Sequence, residues 1–136
     1  GEPKKIDPST IINHCKKGSI PVITPLGKDN NTTYNINADT AAGAIAGALK
    51  ASRLLMLTDI AGVIDENKDL ILKLKVEKAE KLISDGVIVG GMIPKIKTCI
   101  DALKNGVDKA VILDGRVENA IILELFTEEG IGTLIN

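Results

Sequence analysis

The chain contains few aromatic residues: one tyrosine, one phenylalanine and no tryptophan among 136 residues. Proteins that bind single-stranded nucleic acid stack its bases on aromatic side chains, so the scarcity of aromatic residues argues against this function. The 17 basic and 18 acidic residues give a formal net charge of -1, without a basic block that would attract phosphate backbones or anionic lipid. We therefore expect neither a nucleic acid nor a membrane as a partner.

Cysteine and histidine are also scarce. Cys15 and Cys99 are isolated, without a CxxC motif, and His14 is the single histidine, interpreted as a surface or packing residue. This pattern predicts no zinc site, no other metal site made of protein side chains and no disulfide scaffold, and it favours a reducing, cytoplasmic location. The apolar runs are shorter than a membrane span, and the N-terminus lacks an apolar signal region. Because residue 1 is not methionine, we interpret the chain as a fragment.

The apolar and charged contents, 44% and 26%, are those of a globular domain. At this length we expect a single domain, residues 1–136, with a real hydrophobic core. Apolar runs bounded by turn residues predict the following strands and helices. Strands are predicted at 19–24, 53–58, 70–72, 109–113 and 132–135, and helices at 8–17, 40–50, 76–84, 93–105 and 117–125.

This alternation of strands and helices predicts an α/β fold, a three-layer αβα sandwich with a largely parallel central sheet. A polar turn is expected at 27–33 and a hairpin insertion around 65–72. Small residues crowd the second helix, which predicts that it packs closely. In parallel sheets ligands bind beyond the carboxyl ends of the strands, so the loops at that edge are the first candidates for a site.

Three polar clusters are candidates for such loops. In the first, Asn35 and Asn37 alternate along an extended segment and lead to Asp39, predicted to cap the second helix. The two amides could bind a carboxylate substrate, and the acid could orient a lysine. The alternative is an Asx-rich turn in which Asp39 is an ordinary cap.

The second cluster is Thr58 and Asp59 with Gly62, a polar strand end that enters a turn and could hold a ribose and phosphates. The third is Gly90, Gly91 and Met92, followed by a helix with Lys95 in its first turn. Unpaired N–H groups and a cation at a helix start favour a phosphate there, although a solvated lysine is the plain alternative. Walker A and GxGxxG motifs are absent, which argues against a P-loop enzyme and a dinucleotide dehydrogenase.

Four sequence blocks, in this order and spacing, resemble those of acetylglutamate kinases, members of the amino-acid kinase family. The blocks are YNINAD (34–39), LTDIAGV (57–63), GGMIPK (90–95) and ELFTEEGIGT (124–133), with DGR (114–116) between the last two. The resemblance covers essentially the whole chain. It implies the carbamate kinase-like fold, and it implies that this chain is the C-terminal, nucleotide-binding half of such an enzyme.

The resemblance implies an activity: ATP with Mg²⁺ phosphorylates N-acetyl-L-glutamate to N-acetylglutamyl 5-phosphate in arginine biosynthesis. It also implies the following roles. Lys95 and Asp39 are catalytic, Asn35 and Asn37 bind substrate, Thr58, Asp59, Gly62, Gly90, Gly91 and Met92 bind nucleotide, and Glu128, Gly130 and Gly132 bind the effector L-arginine. Such chemistry needs charge neutralisation and alignment rather than a side-chain nucleophile.

The family's N-terminal half carries another catalytic lysine, a glycine-rich loop and a substrate-binding arginine, and we find none of these motifs before residue 19. The fragment alone is therefore predicted to be inactive, and the complete enzyme to be a homo-oligomer. One departure bears on the effector site: Glu118-Asn119 stands where members have Pro-His. Two alternatives stay open, a sister kinase acting on aspartate, glutamate, carbamate or uridylate, and a non-catalytic module that senses nucleotide or arginine.

Overall fold

The computed structural model describes residues 1–128 and 130–136; Glu129, which belongs to the last of the four blocks, lies outside them. The elements are, in chain order, α1 (Ser9–Lys16), β1 (Leu26–Asp29), β2 (Thr32–Asn35), α2 (Ala38–Leu49), β3 (Leu54–Thr58), β4 (Lys73–Leu74), α3 (Val76–Ser84), α4 (Met92–Lys104), β5 (Ala110–Asp114), α5 (Ala120–Phe126) and β6 (Thr133–Ile135).

The main sheet has four strands in the order β3-β5-β6-β4. β3 pairs with β5 in parallel, Leu54 opposite Ala110 and Thr58 opposite Asp114, and β4 also pairs with β6 in parallel. β5 and β6 are antiparallel. The predicted largely parallel sheet is thus confirmed, with one antiparallel ladder at its centre.

Apolar side chains fill both faces of this sheet. The larger cluster joins the strands to α2, α3 and α4, and Ile96, Ala110 and Ile112 in it are fully buried. The smaller cluster, on the opposite face, joins Val111 and Leu113 to Ala120 of α5. Successive residues of β5 therefore point into two cores, as a strand buried on both faces must. This arrangement confirms the three-layer αβα sandwich.

The segment 19–24 corrects the sequence analysis, which predicted a buried strand there. The structure assigns no strand to it, and Ile20 and Val22 are 91% and 95% exposed. A strand needs a neighbour to bond its backbone, and Pro21 and Pro25 lack the N–H groups that a ladder would use. Within the described chain nothing pairs with this segment, so its apolar composition does not lead to burial.

Two smaller differences concern local pairing. The predicted polar turn at 27–33 is a hairpin, β1 paired with β2, which the sequence analysis did not recognise. The prediction of a strand at 70–72 is wrong, because the strand lies three residues later, at β4, although Ile64 and Leu70 form an antiparallel bridge consistent with the expected hairpin insertion.

Among the described residues, no helix is both long enough and apolar enough to span a bilayer.

Candidate functional site

The helices α2 and α4 bring the first and third polar clusters together at one edge of the sheet. Each helix precedes a strand of the parallel pair, α2 before β3 and α4 before β5, and packs on the same core. A helix that leads into a parallel strand runs back along the sheet, so its N-terminus lies at the carboxyl end of the strands. Both helix starts therefore lie at the edge where Thr58 and Asp114 end their strands.

An ion pair joins the two helix starts. Lys95 Nζ donates a hydrogen bond to Asp39 Oδ2 at 2.8 Å, and both side chains are partly buried, 21% and 29% exposed. Lys95 lies in the first turn of α4, where the unpaired N–H groups already favour negative charge. The carboxylate of Asp39 therefore holds a cation at a position where the helix itself would attract an anion. These are the two residues that the resemblance implies to be catalytic.

Asp39 does not cap α2, which corrects the sequence analysis. The cap is Asn37, whose side-chain oxygen accepts from the Thr40 N–H at 3.1 Å. Because Asn37 caps the helix through the Thr40 N–H, the Asp39 side chain is available to bind Lys95. The alternative reading of Asp39 as an ordinary cap is thereby removed.

Glycine residues let α2 and α4 approach closely enough for this pair to form. A Cβ at Gly43, one turn after Asp39, would overlap the methyl group of Thr98, and a Cβ at Gly47 would lie 2.9 Å from Asn105 Cβ. The two helices run side by side in the same direction, with their close contact directly below the ion pair. The small residues noted in the sequence thus serve the tight packing that was predicted.

We expect Gly43→Ala to destabilise the domain by about 1 kcal/mol, because overpacking costs of about 1–3 kcal/mol exceed the helix propensity gain of about 1 kcal/mol. It should also separate Asp39 from Lys95. Chemical denaturation measures the first effect and the NMR resonances of the Lys95 side chain the second. Adding Thr98→Ser, which removes the obstructing methyl group, should restore both. If Gly43→Ala keeps both the stability and the Lys95 side-chain resonances of the parent, the close contact does not position the ion pair.

Cys99 lies one turn below Lys95 on α4 and is fully buried. Burial, and secondarily the charge of Asp39, raise the pKa of its thiol to about 12, against a smaller opposing effect of Lys95. The thiol stays protonated at neutral pH and is therefore a packing group beneath the ion pair rather than a nucleophile.

The turn before α4 exposes its backbone. Gly90 has a φ of +59°, and a Cβ added to Gly90 or Gly91 would meet no atom within 4 Å. The left-handed backbone of Gly90 already favours glycine, whereas at Gly91, with a φ of −66°, neither packing nor conformation explains the glycine and close approach of a ligand to the backbone would. Met92, partly buried, begins the helix. This is the arrangement expected for an anion at a helix start beside a lysine.

The first cluster keeps its predicted alternation. Ile36 is buried, while Asn35 and Asn37 on either side of it are exposed. Asn35 ends β2, and Asn37 caps α2, its side-chain oxygen accepting the Thr40 N–H. Both amides therefore lie on the solvent side of the segment that leads to Asp39.

The second cluster divides into an exposed part and a buried part. Thr58 ends β3, and its hydroxyl donates to Asp59 Oδ1 at 3.3 Å, with the Asp59 carboxylate exposed. Gly62 is buried with a φ of +153°, and a Cβ there would lie 2.6 Å from Thr133 Oγ1. That hydroxyl accepts the buried Val63 N–H at 2.8 Å. Gly62 thus has a packing reason of its own, independent of any ligand.

In the DGR block the guanidinium of Arg116 binds the carboxylate of Asp114 at two points, an ion pair called the Arg116 fork below. The sequence analysis assigned no role to these residues. Arg116 donates from Nε to Asp114 Oδ1 at 2.9 Å and from Nη2 to Asp114 Oδ2 at 2.8 Å. The Arg116 backbone N–H also donates to Asp114 Oδ1 at 2.9 Å. Asp114 ends β5 directly beside Thr58, so this fork lies at the same edge as the predicted nucleotide residues.

These hydrogen bonds, first those of the guanidinium and then that of the backbone, lower the pKa of Asp114 from 3.8 to about 2. A carboxyl group with a depressed pKa stabilises the fold above its unfolded pKa, and the contribution is lost as the pH falls through the folded pKa. We therefore expect a carboxyl ¹³C titration of Asp114 with a midpoint near 2, moving towards 3.8 in Arg116→Ala. A midpoint near 3.8 in the parent chain would contradict the fork.

Two of the predicted effector residues, Gly130 and Gly132, lie against a buried acid. Glu124, on α5, is 9% exposed, and its Oε2 accepts from the N–H groups of Ile131 at 2.9 Å and Gly132 at 3.3 Å. Gly130 has a φ of +66°, and a Cβ there would lie 2.6 Å from the same oxygen; Glu128 is exposed. Glu124 thus organises the segment, although only its place in the last sequence block indicated it.

The fold and this site together define a class: an α/β sandwich with a lysine-bearing helix start and an open glycine turn at the carboxyl edge of its parallel strands. The sequence profile of the amino acid kinase family matches residues 1–114. The chain belongs to that family.

Similar proteins refine this assignment. The chain is 58% identical over 130 residues to the acetylglutamate kinase of Lawsonia intracellularis, covering 96% of this chain and 44% of that enzyme. The N-acetylglutamate synthase of Neisseria gonorrhoeae, solved with coenzyme A and L-arginine, superposes with a TM-score of 0.91 at 29% identity, over 97% of this chain and 31% of the synthase. Giardia carbamate kinase shares the fold, with a TM-score of 0.69 at 21% identity over 98% of this chain and 49% of the kinase.

The chain spans about half the length of the curated relatives that it matches. The carbamate kinase-like fold expected from the sequence is confirmed, and so is the resemblance to acetylglutamate kinases.

Proposed function

We propose that this chain supplies the nucleotide site and part of the catalytic site of an acetylglutamate kinase, which transfers the γ-phosphoryl group of ATP to the side-chain carboxylate of N-acetyl-L-glutamate. The observation that carries the proposal is the Lys95–Asp39 ion pair beside the open turn at Gly90 and Gly91. The 58% identity to an acetylglutamate kinase supports the choice of substrate.

In this proposal two anions must be brought together, and the catalytic work is neutralisation of their charge. Lys95 would bind the transferring phosphoryl group, because the first turn of α4 offers N–H groups and a cation at one place. Asp39 would hold the lysine in position, and the exposed amides of Asn35 and Asn37 would bind the substrate carboxylate region. Thr58 and Asp59 would bind the ribose and phosphates at the end of β3.

Mg²⁺ would arrive with ATP, held mainly by the phosphates, since this ion keeps several water ligands and takes few protein carboxylates. Within residues 1–128 and 130–136, no cluster of three or more His, Cys, Asp or Glu side chains offers it a site made of protein alone. The carboxylate of Asp59, which is exposed, is a protein ligand that the carboxyl edge could contribute.

Two experiments test the proposal. The first is calorimetric titration of MgADP into this chain, which should show binding. Asp59→Ala and Lys95→Ala should each weaken that binding. The second is an activity assay of a chimera in which this chain replaces the matching part of the Lawsonia intracellularis enzyme. It tests whether the segment supports catalysis. Acyl phosphate trapped with hydroxylamine should form with N-acetylglutamate. Turnover with aspartate or glutamate instead would assign a sister kinase.

A second candidate is a non-catalytic module that binds nucleotide or arginine, favoured by the TM-score of 0.91 to a synthase solved with L-arginine. It predicts binding of MgADP or L-arginine by the chain together with a catalytically dead chimera. We further propose that L-arginine binds at Glu128, Gly130 and Gly132, which inhibition of the active chimera by L-arginine would test. We also propose that the whole enzyme is a homo-oligomer, which sedimentation of the active chimera would test.

A further inference from the structure

The loop that follows β5 is attached to the end of β3. The Gly115 N–H donates to the Thr58 carbonyl oxygen at 2.8 Å, and Thr58 and Asp114 are opposite each other in the parallel ladder. The contact is close, since a Cβ at Gly115 would lie 3.3 Å from Leu57 Cβ. This hydrogen bond and this contact couple the turn after Asp114 to the strand end that leads into Asp59.

Two carboxylates lie at these adjacent strand ends, Asp114 as the last residue of β5 and Asp59 directly after β3, and the guanidinium of Arg116 interacts electrostatically with both. Arg116 makes its two side-chain hydrogen bonds to Asp114. The negative charge of Asp59 also raises the pKa of Arg116, after the larger effects of Asp114. Without Arg116, two like charges would remain at neighbouring strand ends and would repel each other.

We propose that Arg116 is a positioning residue for the nucleotide site: by neutralising Asp114 it keeps the turn of Thr58 and Asp59 in the conformation that receives the nucleotide. The inference rests on the proposed function for the identity of the ligand. Arg116 acts through the Gly115–Thr58 hydrogen bond and the local charge balance. Its guanidinium is committed to Asp114 and is not required to contact the nucleotide.

The first test needs no ligand. Amide hydrogen exchange of Asp59 and Gly115 is measured by NMR in the parent chain, in Arg116→Ala and in the double variant Arg116→Ala/Asp114→Asn. Exchange should be faster in Arg116→Ala and return towards the parent rate in the double variant, because one of the two repelling charges is gone. Lys81→Ala, which breaks the exposed Lys81–Asp85 pair at 2.6 Å on α3, is the matched control and should leave these amides unchanged. Unaltered exchange in Arg116→Ala overturns the inference.

The second test is calorimetric titration of MgADP into the same proteins. Arg116→Ala should weaken binding about three- to tenfold, the range typical of one coupled polar pair. Arg116→Lys should also weaken it, since an ammonium group cannot form the planar two-point bond. The double variant should bind within about twofold of the parent.

The double variant separates this mechanism from direct contact. If Arg116 touched the nucleotide, binding would stay weak after Asp114 is neutralised, and the inference would be wrong. Undiminished binding in Arg116→Ala contradicts it as well. A parent chain that binds no MgADP contradicts the proposed function and with it the nucleotide role of Arg116, an outcome distinct from loss of coupling in a parent that binds.

Discussion

Lys95→Ala should lower kcat in an active chimera by about 100- to 1,000-fold, the loss typical when one preorganised charge-stabilising group is removed. The reason lies in the placement of the ammonium group. It is partly buried, held 2.8 Å from Asp39 and located at a helix start that already attracts anions. Negative charge that develops on the transferring phosphoryl group would lose the protein cation at this helix start. Trapping of the acyl phosphate gives the rate.

The matched control for this prediction is Lys97→Ala, which removes an exposed lysine two residues further along the same helix. It changes the net charge by the same amount and should leave kcat within about twofold of the parent value, because exposed charges are strongly screened. A similar loss in both variants would show that general electrostatics, and not the position of Lys95, explain the effect. A Lys95→Ala enzyme with a kcat close to that of the parent would refute the catalytic role.

Gly132→Ala should be the most destabilising glycine substitution, by about 3 kcal/mol, at the upper end of overpacking costs. A Cβ at Gly132 would overlap the backbone oxygen of Ile112, would lie 2.8 Å from Leu113 Cβ and would lie 3.0 Å from Val111 Cγ1. All three atoms belong to β5, the central strand with four fully or nearly fully buried residues. Relief would require β5 and β6 to separate, and chemical denaturation measures the cost.

Gly91→Ala is the informative contrast. Gly91 has a φ of −66°, and a Cβ there meets nothing within 4 Å, so the fold should tolerate alanine with a stability change below about 0.5 kcal/mol. Affinity for MgADP should nevertheless fall, since the methyl group would occupy space offered to the ligand. Equal stability of Gly132→Ala and Gly91→Ala would contradict the packing described for Gly132. Unchanged MgADP affinity in Gly91→Ala would argue against a ligand at that turn.

Gly132 and Gly62 show how far a sequence block alone can guide the assignment of roles. Gly132 was assigned to an effector site by resemblance, and the structure gives it a packing role at the centre of the sheet. Gly62 likewise has a packing reason, because it lies against Thr133. The sequence alone does not show why a position is glycine, since the missing side chain can make room for a neighbouring strand as well as for a ligand.

Local periodicity and turn chemistry determined much of this protein from the sequence alone. The helix Val76–Ser84 was predicted with its observed bounds, because an apolar face of helical spacing ends at Gly86, whose φ of +74° permits the chain to leave the helix. The order of strands and helices likewise determined the sandwich class. Ordered blocks of site residues pointed to the kinase family, which no single block could do.

Tertiary structure alone decided which of these residues meet. The segment 19–24 has the composition of a buried strand but lacks a partner in the described chain, and burial requires one. Asp39 binds Lys95 because Asn37 takes the cap and Gly43 lets two helices touch, contacts between residues up to 56 positions apart. The Arg116 fork joins residues only two positions apart, but its place beside Thr58 depends on the pairing of β3 with β5. Sequence patterns report local preference, whereas such contacts depend on the path of the whole chain.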